Sequence, residues 1–349
     1  MKWLTTVALI GVLTGCGTQS AGSTGGATST SAPAANVQVT APASSAMLNV
    51  VTTVSPVSNI VYNIGGDRIR LSGIVPEGTN SHTFEPAPSD AQKLAEADII
   101  FVNGLKLEEP TLKLAEANKK ANAEIVLLGE QTISTDQYQY DFSFPKEGGS
   151  PNPHLWPNPM YALRYAEIAR DTLVRRDSTN ADYYQKNYEA FKIRIEALDQ
   201  AIKATVESIP EQNRKLLTYH DSFAYFAPRY GMTVVGAIQP SDFAEPSAQD
   251  VAALITQLKE EKIPAIFGSE VFPSPILDQI AKEANVQYVD TLRDDDLPGA
   301  PGEAKHSYIG LMVEDLRIMA TALGGDPTLI TGIDPSNVPG VDAAVQQAQ

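Results

Sequence analysis

Three of the four histidines in this 349-residue chain are spaced almost evenly, and each lies in a short, unusual local sequence. His82 precedes Thr-Phe-Glu-Pro, His154 lies within Asn-Pro-His-Leu-Trp-Pro, and His220 lies within Tyr-His-Asp-Ser-Phe. A further interval of similar length leads to Asp290, within Tyr-Val-Asp-Thr. Three imidazoles and one carboxylate form a donor set that suits Zn(II), Mn(II) or Fe(II). These four residues, each on its own loop, are therefore candidate ligands of one four-coordinate metal ion.

Spacing alone is weak support for a metal site, because a histidine is more often exposed or hydrogen-bonded within a core. Two local features strengthen the interpretation. Prolines that restrict the backbone lie beside the histidines, at Pro86, Pro153 and Pro157. Residues able to orient or shield a ligand also lie nearby or at a strand end, and we take four of them as candidate outer residues of the site: Glu85, Trp156, Asp221 and Glu270.

The chain is long enough for two domains and a tail. Its formal net charge of −16 argues against a nucleic-acid-binding surface, which needs clustered Lys and Arg. Its single cysteine excludes an internal disulfide and any zinc site made of several cysteines.

The N-terminal residues predict a lipoprotein signal peptide over residues 1–16. Lys2 precedes an apolar stretch that is too short to span a bilayer, and small residues then lead to Cys16. The alternative is a general secretory signal with an incidental cysteine. Residues 17–46 are small or polar and cannot bury enough apolar surface to fold, so they predict a flexible tether. The expected arrangement is a soluble body held through acylated Cys16 at a membrane surface outside the cytoplasm.

The folded body predicts an α/β architecture with two lobes, each a mostly parallel sheet flanked by helices. Strand and helix patterns alternate within residues 47–158 and again within 209–330. Between them, residues 159–208 carry apolar side chains at steps of three and four, which predicts a long, rigid helical connector with a break near Asp177. Residues 331–349 lack this periodicity and predict a loosely ordered tail.

Strand ends divide the candidate ligands between the two lobes. His220 and Asp290 each directly follow a predicted strand of the second lobe, whereas His82 and His154 lie on loops of the first. Open α/β sheets bind ligands beside the carboxyl ends of their strands. The cleft between the lobes is therefore the predicted meeting point. Two further polar features are expected to be solvated surface, namely His306 and the acidic run at residues 294–296.

The sequence resembles the solute-binding lipoproteins of zinc and manganese ABC importers, the TroA-like or cluster A-I group. The resemblance covers about residues 48–325, and the most specific motifs lie at residues 76–86, 97–104, 153–159, 220–226 and 290–292. It implies two α/β lobes joined by one long rigid helix, with the metal between them. It also implies the ligands His82, His154, His220 and Asp290, and the partners of such a protein: a membrane permease with its ATPase.

The sequence indicates the identity of the ion less directly than it indicates the ligands. Three imidazoles favour zinc, because manganese generally binds more oxygen ligands. Many zinc importers of the group carry a histidine-rich loop before the second ligand, whereas the loop at 129–153 here contains no histidine. Manganese therefore stays open, and iron is the third choice.

Two other functions compete with metal capture by a monomeric binding protein. A surface adhesin is compatible with a lipid anchor. A zinc hydrolase needs an open coordination position and a general base, but the chain contains no His-Glu-x-x-His, Gly-x-Ser-x-Gly or Gly-rich phosphate loop. We therefore expect a binding protein and not an enzyme.

Overall fold

Two parallel four-stranded sheets with the same pattern of strand order organise the protein. The computed structural model describes residues 47–271, 274–289 and 292–339. The first sheet has the order β2-β1-β3-β4 and consists of β1 (Leu48–Thr52), β2 (Ile69–Gly73), β3 (Ile99–Val102) and β4 (Glu124–Leu127). The second has the order β6-β5-β7-β8 and consists of β5 (Lys215–Thr218), β6 (Thr233–Ala237), β7 (Ala265–Phe267) and β8 (Gln287–Val289).

Helices connect and cover the strands, as parallel pairing requires. The first lobe contains α1 (Ser55–Gly65), α2 (Pro88–Glu96), α3 (Glu109–Asn118) and α4 (Pro159–Arg176). The long helix α5 (Ala181–Ser208) leads to the second lobe, which contains α6 (Ala227–Tyr230), α7 (Ala248–Glu261), α8 (Pro275–Ala284) and α9 (Tyr308–Leu323). The predicted α/β class with two sheets is confirmed.

The connector is two helices packed side by side. The predicted break is a 3-10 turn at Ser178–Asn180. Asp177 stabilises it by accepting hydrogen bonds from the Asn180 amide and the Tyr184 hydroxyl. Helix α4 packs on α1 of the first lobe, so α5 is the long link. Its 28 residues extend about 42 Å at the usual rise of about 1.5 Å per residue.

The two lobes share one hydrophobic core around α5. The same buried cluster includes Val50 and Phe101 from the first sheet and Leu216 and Phe267 from the second. Helix α9 packs back onto α1, where the Tyr308 N–H donates to the side-chain oxygen of Asn59. This shared core leaves little freedom for the lobes to separate as independent bodies.

Several predictions fall on residues outside the described ranges: the signal peptide at 1–16 with Cys16, the tether at 17–46, Asp290, and the end of the tail at 340–349. Within the described ranges, no helix is both long enough and apolar enough to cross a lipid bilayer.

Candidate metal centre

Three imidazoles converge between the lobes. The Nε2 atoms of His82 and His154 lie 3.2 Å apart, those of His82 and His220 3.2 Å apart, and those of His154 and His220 3.0 Å apart. Bonds of about 2.0–2.1 Å to one ion would separate two nitrogens by about 3.0 Å at right angles and about 3.3 Å at tetrahedral angles. The triangle therefore has the size that a single shared ion requires.

Each histidine is held by the turn or strand end that carries it. His82 lies on the loop between β2 and α2, where its N–H donates to the Asn80 side-chain oxygen at 2.9 Å. His154 lies just before α4, which Asn158 caps by accepting the Met160 N–H. His220 follows β5 at the carboxyl end of the second sheet. Both lobes thus contribute imidazoles to the centre.

Two amide side chains orient the buried imidazoles. The side-chain oxygen of Asn152 accepts from the N–H of His154 at 3.0 Å and lies 2.8 Å from its Nδ1. The side-chain oxygen of Gln239 lies 2.7 Å from Nδ1 of His220. Because an amide oxygen only accepts, each Nδ1 carries the proton and each Nε2 presents its lone pair to the centre.

Burial also prepares the histidines for metal binding. It lowers the pKa of His82 and of His154 well below the usual value, and the neighbouring His220 adds to the effect in both cases. A neutral imidazole is the form that binds a metal ion. These two side chains are therefore in the ligand form at neutral pH.

A carboxylate that sequence analysis missed lies beside the imidazoles. Oδ2 of Asp294 is 3.5 Å from Nε2 of His220. This buried oxygen accepts no hydrogen bond of ordinary geometry from the described residues, although the Ser222 side chain lies beside the carboxyl group. It is therefore a carboxylate placed to bind an ion beside His220.

The acidic segment, residues Asp294–Asp296, is buried, so its prediction as solvated surface is wrong. Its three residues are 3%, 4% and 9% exposed. Oε1 of Glu270 accepts from the three backbone N–H groups of the segment at 3.1, 3.3 and 3.1 Å. Burial is the main cause that raises the pKa of Glu270, to about 8.

The acidic segment also binds the loop that carries His82. The Ser81 hydroxyl donates to Asp295 at 2.7 Å, and the Gly78 N–H donates to both carboxylate oxygens of Asp296 at 3.0 and 2.8 Å. These contacts join the two lobes directly at the centre.

The candidate outer residues have different surroundings. The indole ring of Trp156 packs edge-on against His154 at 5.1 Å, and its N–H donates to the backbone oxygen of Asp294. Asp221 accepts the Ser143 N–H at 2.9 Å, which ties the second lobe to the loop at 129–153. Glu270 holds the acidic segment. Glu85 is exposed at the surface.

The side of the centre formed by His82 is covered by aromatic rings. The Phe243 ring stacks on the His82 imidazole, with centroids 4.5 Å apart and planes 18° apart, and Phe144 lies 5.5 Å from it. We call Phe144 and Phe243 the aromatic cover. A cavity of about 240 Å³ borders both rings and His82. His82 is partly exposed, whereas His154 and His220 are buried.

His306 also differs from its prediction as a solvated residue. Its side chain is 10% exposed, and its Nε2 lies 3.6 Å from Oε1 of Glu77. The same Glu77 oxygen accepts the Leu297 N–H at 3.5 Å. His306 thus belongs to the contact between the loop of His82 and the second lobe, and not to the histidine triangle.

Comparisons with known proteins agree with this architecture. Residues 50–322 match the profile of a family described as zinc-uptake complex component A, periplasmic (ZnuA). The iron-binding protein YfeA of Yersinia pestis is 31% identical over 275 residues, covering 79% of this chain and 86% of that protein. The manganese ABC transporter substrate-binding lipoprotein PsaA of Streptococcus pneumoniae is 29% identical over 287 residues, covering 80% and 90%. The solved structure of the periplasmic zinc-binding protein TroA from Treponema pallidum has a TM-score of 0.72 at 25% identity, covering 80% of this chain and 99% of that one.

Proposed function

The chain belongs to the family of periplasmic zinc-uptake complex component A proteins, and from that premise we propose that it is the solute-binding protein of an ABC importer. It captures a divalent transition-metal ion outside the cytoplasmic membrane and delivers it to a permease, while the ATPase of the importer drives uptake. The observation that carries this proposal is the triangle of three Nε2 atoms, with sides of 3.0 to 3.2 Å, between the two lobes.

The ligand set consists of His82, His154, His220 and one carboxylate from the chain that follows β8. Asp290 is the carboxylate that the sequence motif assigns. Asp294 is a second candidate, supported by its distance of 3.5 Å from His220 Nε2 and by its burial. Substitution of the aspartate that binds the ion should weaken metal binding far more than substitution of the other, so an experiment can distinguish them.

Zinc is the favoured ion, manganese the next and iron the third. Three imidazoles and an apolar cover suit an ion that accepts four ligands, whereas manganese favours more oxygen donors. The relatives include proteins named for manganese and for iron, so their names do not select one ion.

Binding without catalysis is the favoured activity. A hydrolase would need a general base near an open coordination position. Of the candidates, Glu85 is exposed, Asp221 accepts a backbone N–H, and Glu270 accepts three. An adhesin function has no specific observation in its favour.

The body is anchored through acylated Cys16 and the tether at 17–46, and it acts as a monomer. Relatives named as substrate-binding lipoproteins support the anchor. Mass spectrometry of the mature protein would detect the lipid, and a Cys16→Ala variant should lose it and leave the membrane fraction.

The decisive test is elemental analysis of protein purified without added metal, followed by competitive zinc and manganese titration. We expect one ion per chain and tighter binding of zinc. The His154→Ala variant should lose stoichiometric binding. If that variant binds one ion as tightly as the wild type, the proposed site is wrong.

The same titration of Asp290→Ala and Asp294→Ala identifies the fourth ligand. The variant that lacks the ligand should bind far more weakly than the other. Lys305→Ala, at an exposed position of the second lobe, is a suitable control.

A further inference from the structure

His82 is the ligand through which the centre approaches solvent. His154 and His220 are 0% and 2% exposed, whereas His82 is partly exposed and borders the cavity of about 240 Å³. The ring of Phe243 lies flat on the His82 imidazole, between that ligand and the surrounding space. Any ion that exchanges on this side must pass the aromatic cover.

Phe243 reaches this position only by adopting an unfavourable backbone conformation. Its φ of +58° lies in the left-handed region, which bulky side chains rarely adopt. The conformation closes a tight turn in which the Phe243 N–H donates to the Pro240 oxygen at 3.0 Å. An outlier of this kind at a ligand site is a reason to look for a functional role.

The segment that carries Phe243 is anchored near both ends, and its tip carries a local bond from the Ala244 N–H to the Asp242 carboxylate at 3.1 Å. At one end, the Ser143 hydroxyl donates to the Gln239 backbone oxygen at 2.7 Å. At the other, the Ser274 hydroxyl donates to the Glu245 carboxylate at 3.0 Å. Residues between these anchors can rearrange without moving Gln239, which orients His220.

We propose that Phe243 is a positioning residue that acts through His82, keeps water from the bound ion and thereby controls the rate of metal exchange. The inference rests on the proposed function. In the stacked position the ring fixes the His82 plane and excludes water from one face of the centre. When the turn relaxes and the ring leaves, water gains access to the ion, and His82 can dissociate first among the three histidines.

The adjoining cavity supplies the space for this exchange. Water occupies about 30 Å³ per molecule in the liquid, so the cavity of about 240 Å³ has room for an ion with a shell of waters. Ser143, Ser150 and Ser241 line it, and their polar groups can hydrogen-bond to those waters.

The test measures zinc release from the loaded full-length protein into excess chelator by stopped flow. Phe243→Ala should release zinc about three- to tenfold faster than the wild type, because one aromatic contact is lost. Zinc stoichiometry and thermal midpoint should stay near the wild-type values. Phe243→Gly, which removes the ring and also the backbone strain, should release zinc as fast as Phe243→Ala.

Two further variants separate a covering role from general disturbance. Phe243→Tyr keeps the stacked ring and should restore slow release. Phe142→Ala removes a nearby phenylalanine that is 50% exposed, and should leave the rate unchanged. If Phe243→Ala and Phe243→Gly both release zinc at the wild-type rate, the inference is wrong. Absence of stoichiometric zinc from the wild type would instead contradict the proposed function.

Discussion

The two sides of the metal centre are built in opposite ways. On the side of the acidic segment, backbone N–H groups and hydroxyls are bonded to buried carboxylates, and the contacts join both lobes. On the side of the aromatic cover, Phe243 is held by stacking and a strained turn beside a cavity. The comparison indicates that one side fixes where the ligands lie, whereas the other determines how readily an ion comes and goes.

The largest effect should come from substitution of a histidine ligand itself. His154→Ala removes one of three imidazoles and leaves the other two without a third nitrogen, so zinc affinity should fall by about a thousandfold or more, equivalent to about 4 kcal/mol. Isothermal titration or chelator competition would measure the loss. A tight complex with two imidazoles would show that the triangle is not the binding unit.

The next effect tests the fixed side of the centre. Asn152→Ala removes the acceptor that orients His154, so zinc affinity should fall by about 10- to 100-fold while stoichiometry stays at one ion. Competition titration would measure it, with Asn122→Ala at an exposed position as the matched control. Equal affinities for the two variants would contradict a role for Asn152 in orienting the ligand.

The pH dependence of stability tests the carboxylate of Glu270. Burial raises the pKa of Glu270 from its usual value of 4.5 to about 8 in the folded protein. Between these two pH values the folded protein therefore keeps a proton that the unfolded chain has released. This contribution is fully present below about pH 4.5 and is lost as the pH rises through about 8. Glu270→Gln removes it, so thermal midpoints of metal-free protein should fall less steeply for the variant between pH 5 and 8.

The histidines contribute to the pH dependence of stability in the opposite direction. Comparing wild type with Glu270→Gln at each pH cancels this contribution. Burial lowers the pKa of His82 and His154, which costs stability as the pH falls below about 6.5 in both proteins. Parallel midpoint curves for wild type and Glu270→Gln would show that Glu270 does not take up this proton.

The smallest effect should come from the side of the aromatic cover, where the cavity lies. Lys106 borders the cavity, and its ammonium group donates to the Gly149 oxygen. Lys106→Glu replaces a positive by a negative charge, so the association rate of zinc should rise a few-fold at low salt and the gain should shrink in high salt. Stopped-flow binding would measure it, and a salt-independent rate change would have another cause.

Sequence patterns identified what depends on short motifs and on strand ends. Prolines lie near His82 and His154, and His220 follows a parallel strand, so these local features pointed to one cleft. Asp290 stays a prediction. The alternation of strand and helix likewise predicted two parallel sheets, because it reflects local periodicity.

The errors arose where burial depends on distant residues. The acidic segment was predicted to be solvated because nothing near it in the sequence explains its burial. Its hydrogen-bond partners are Glu270, far upstream, and Ser81 and Gly78 from the other lobe. Phe243 gives no sequence signal either, since a left-handed turn usually selects glycine. His306 is largely shielded from solvent for a similar reason, since it lies beside Glu77 from the other lobe.

The core shared across α5 has a consequence for how the chain folds. Val50 and Leu216 belong to one buried cluster, so the two sheets should melt in a single cooperative transition and not one after the other. A nascent chain that has formed only the first sheet would present His82 and His154 without His220. It could not hold the ion tightly. Tight metal binding therefore requires a completely folded chain. A free-ion concentration a thousandfold above the dissociation constant would raise the free energy of unfolding by about 4 kcal/mol.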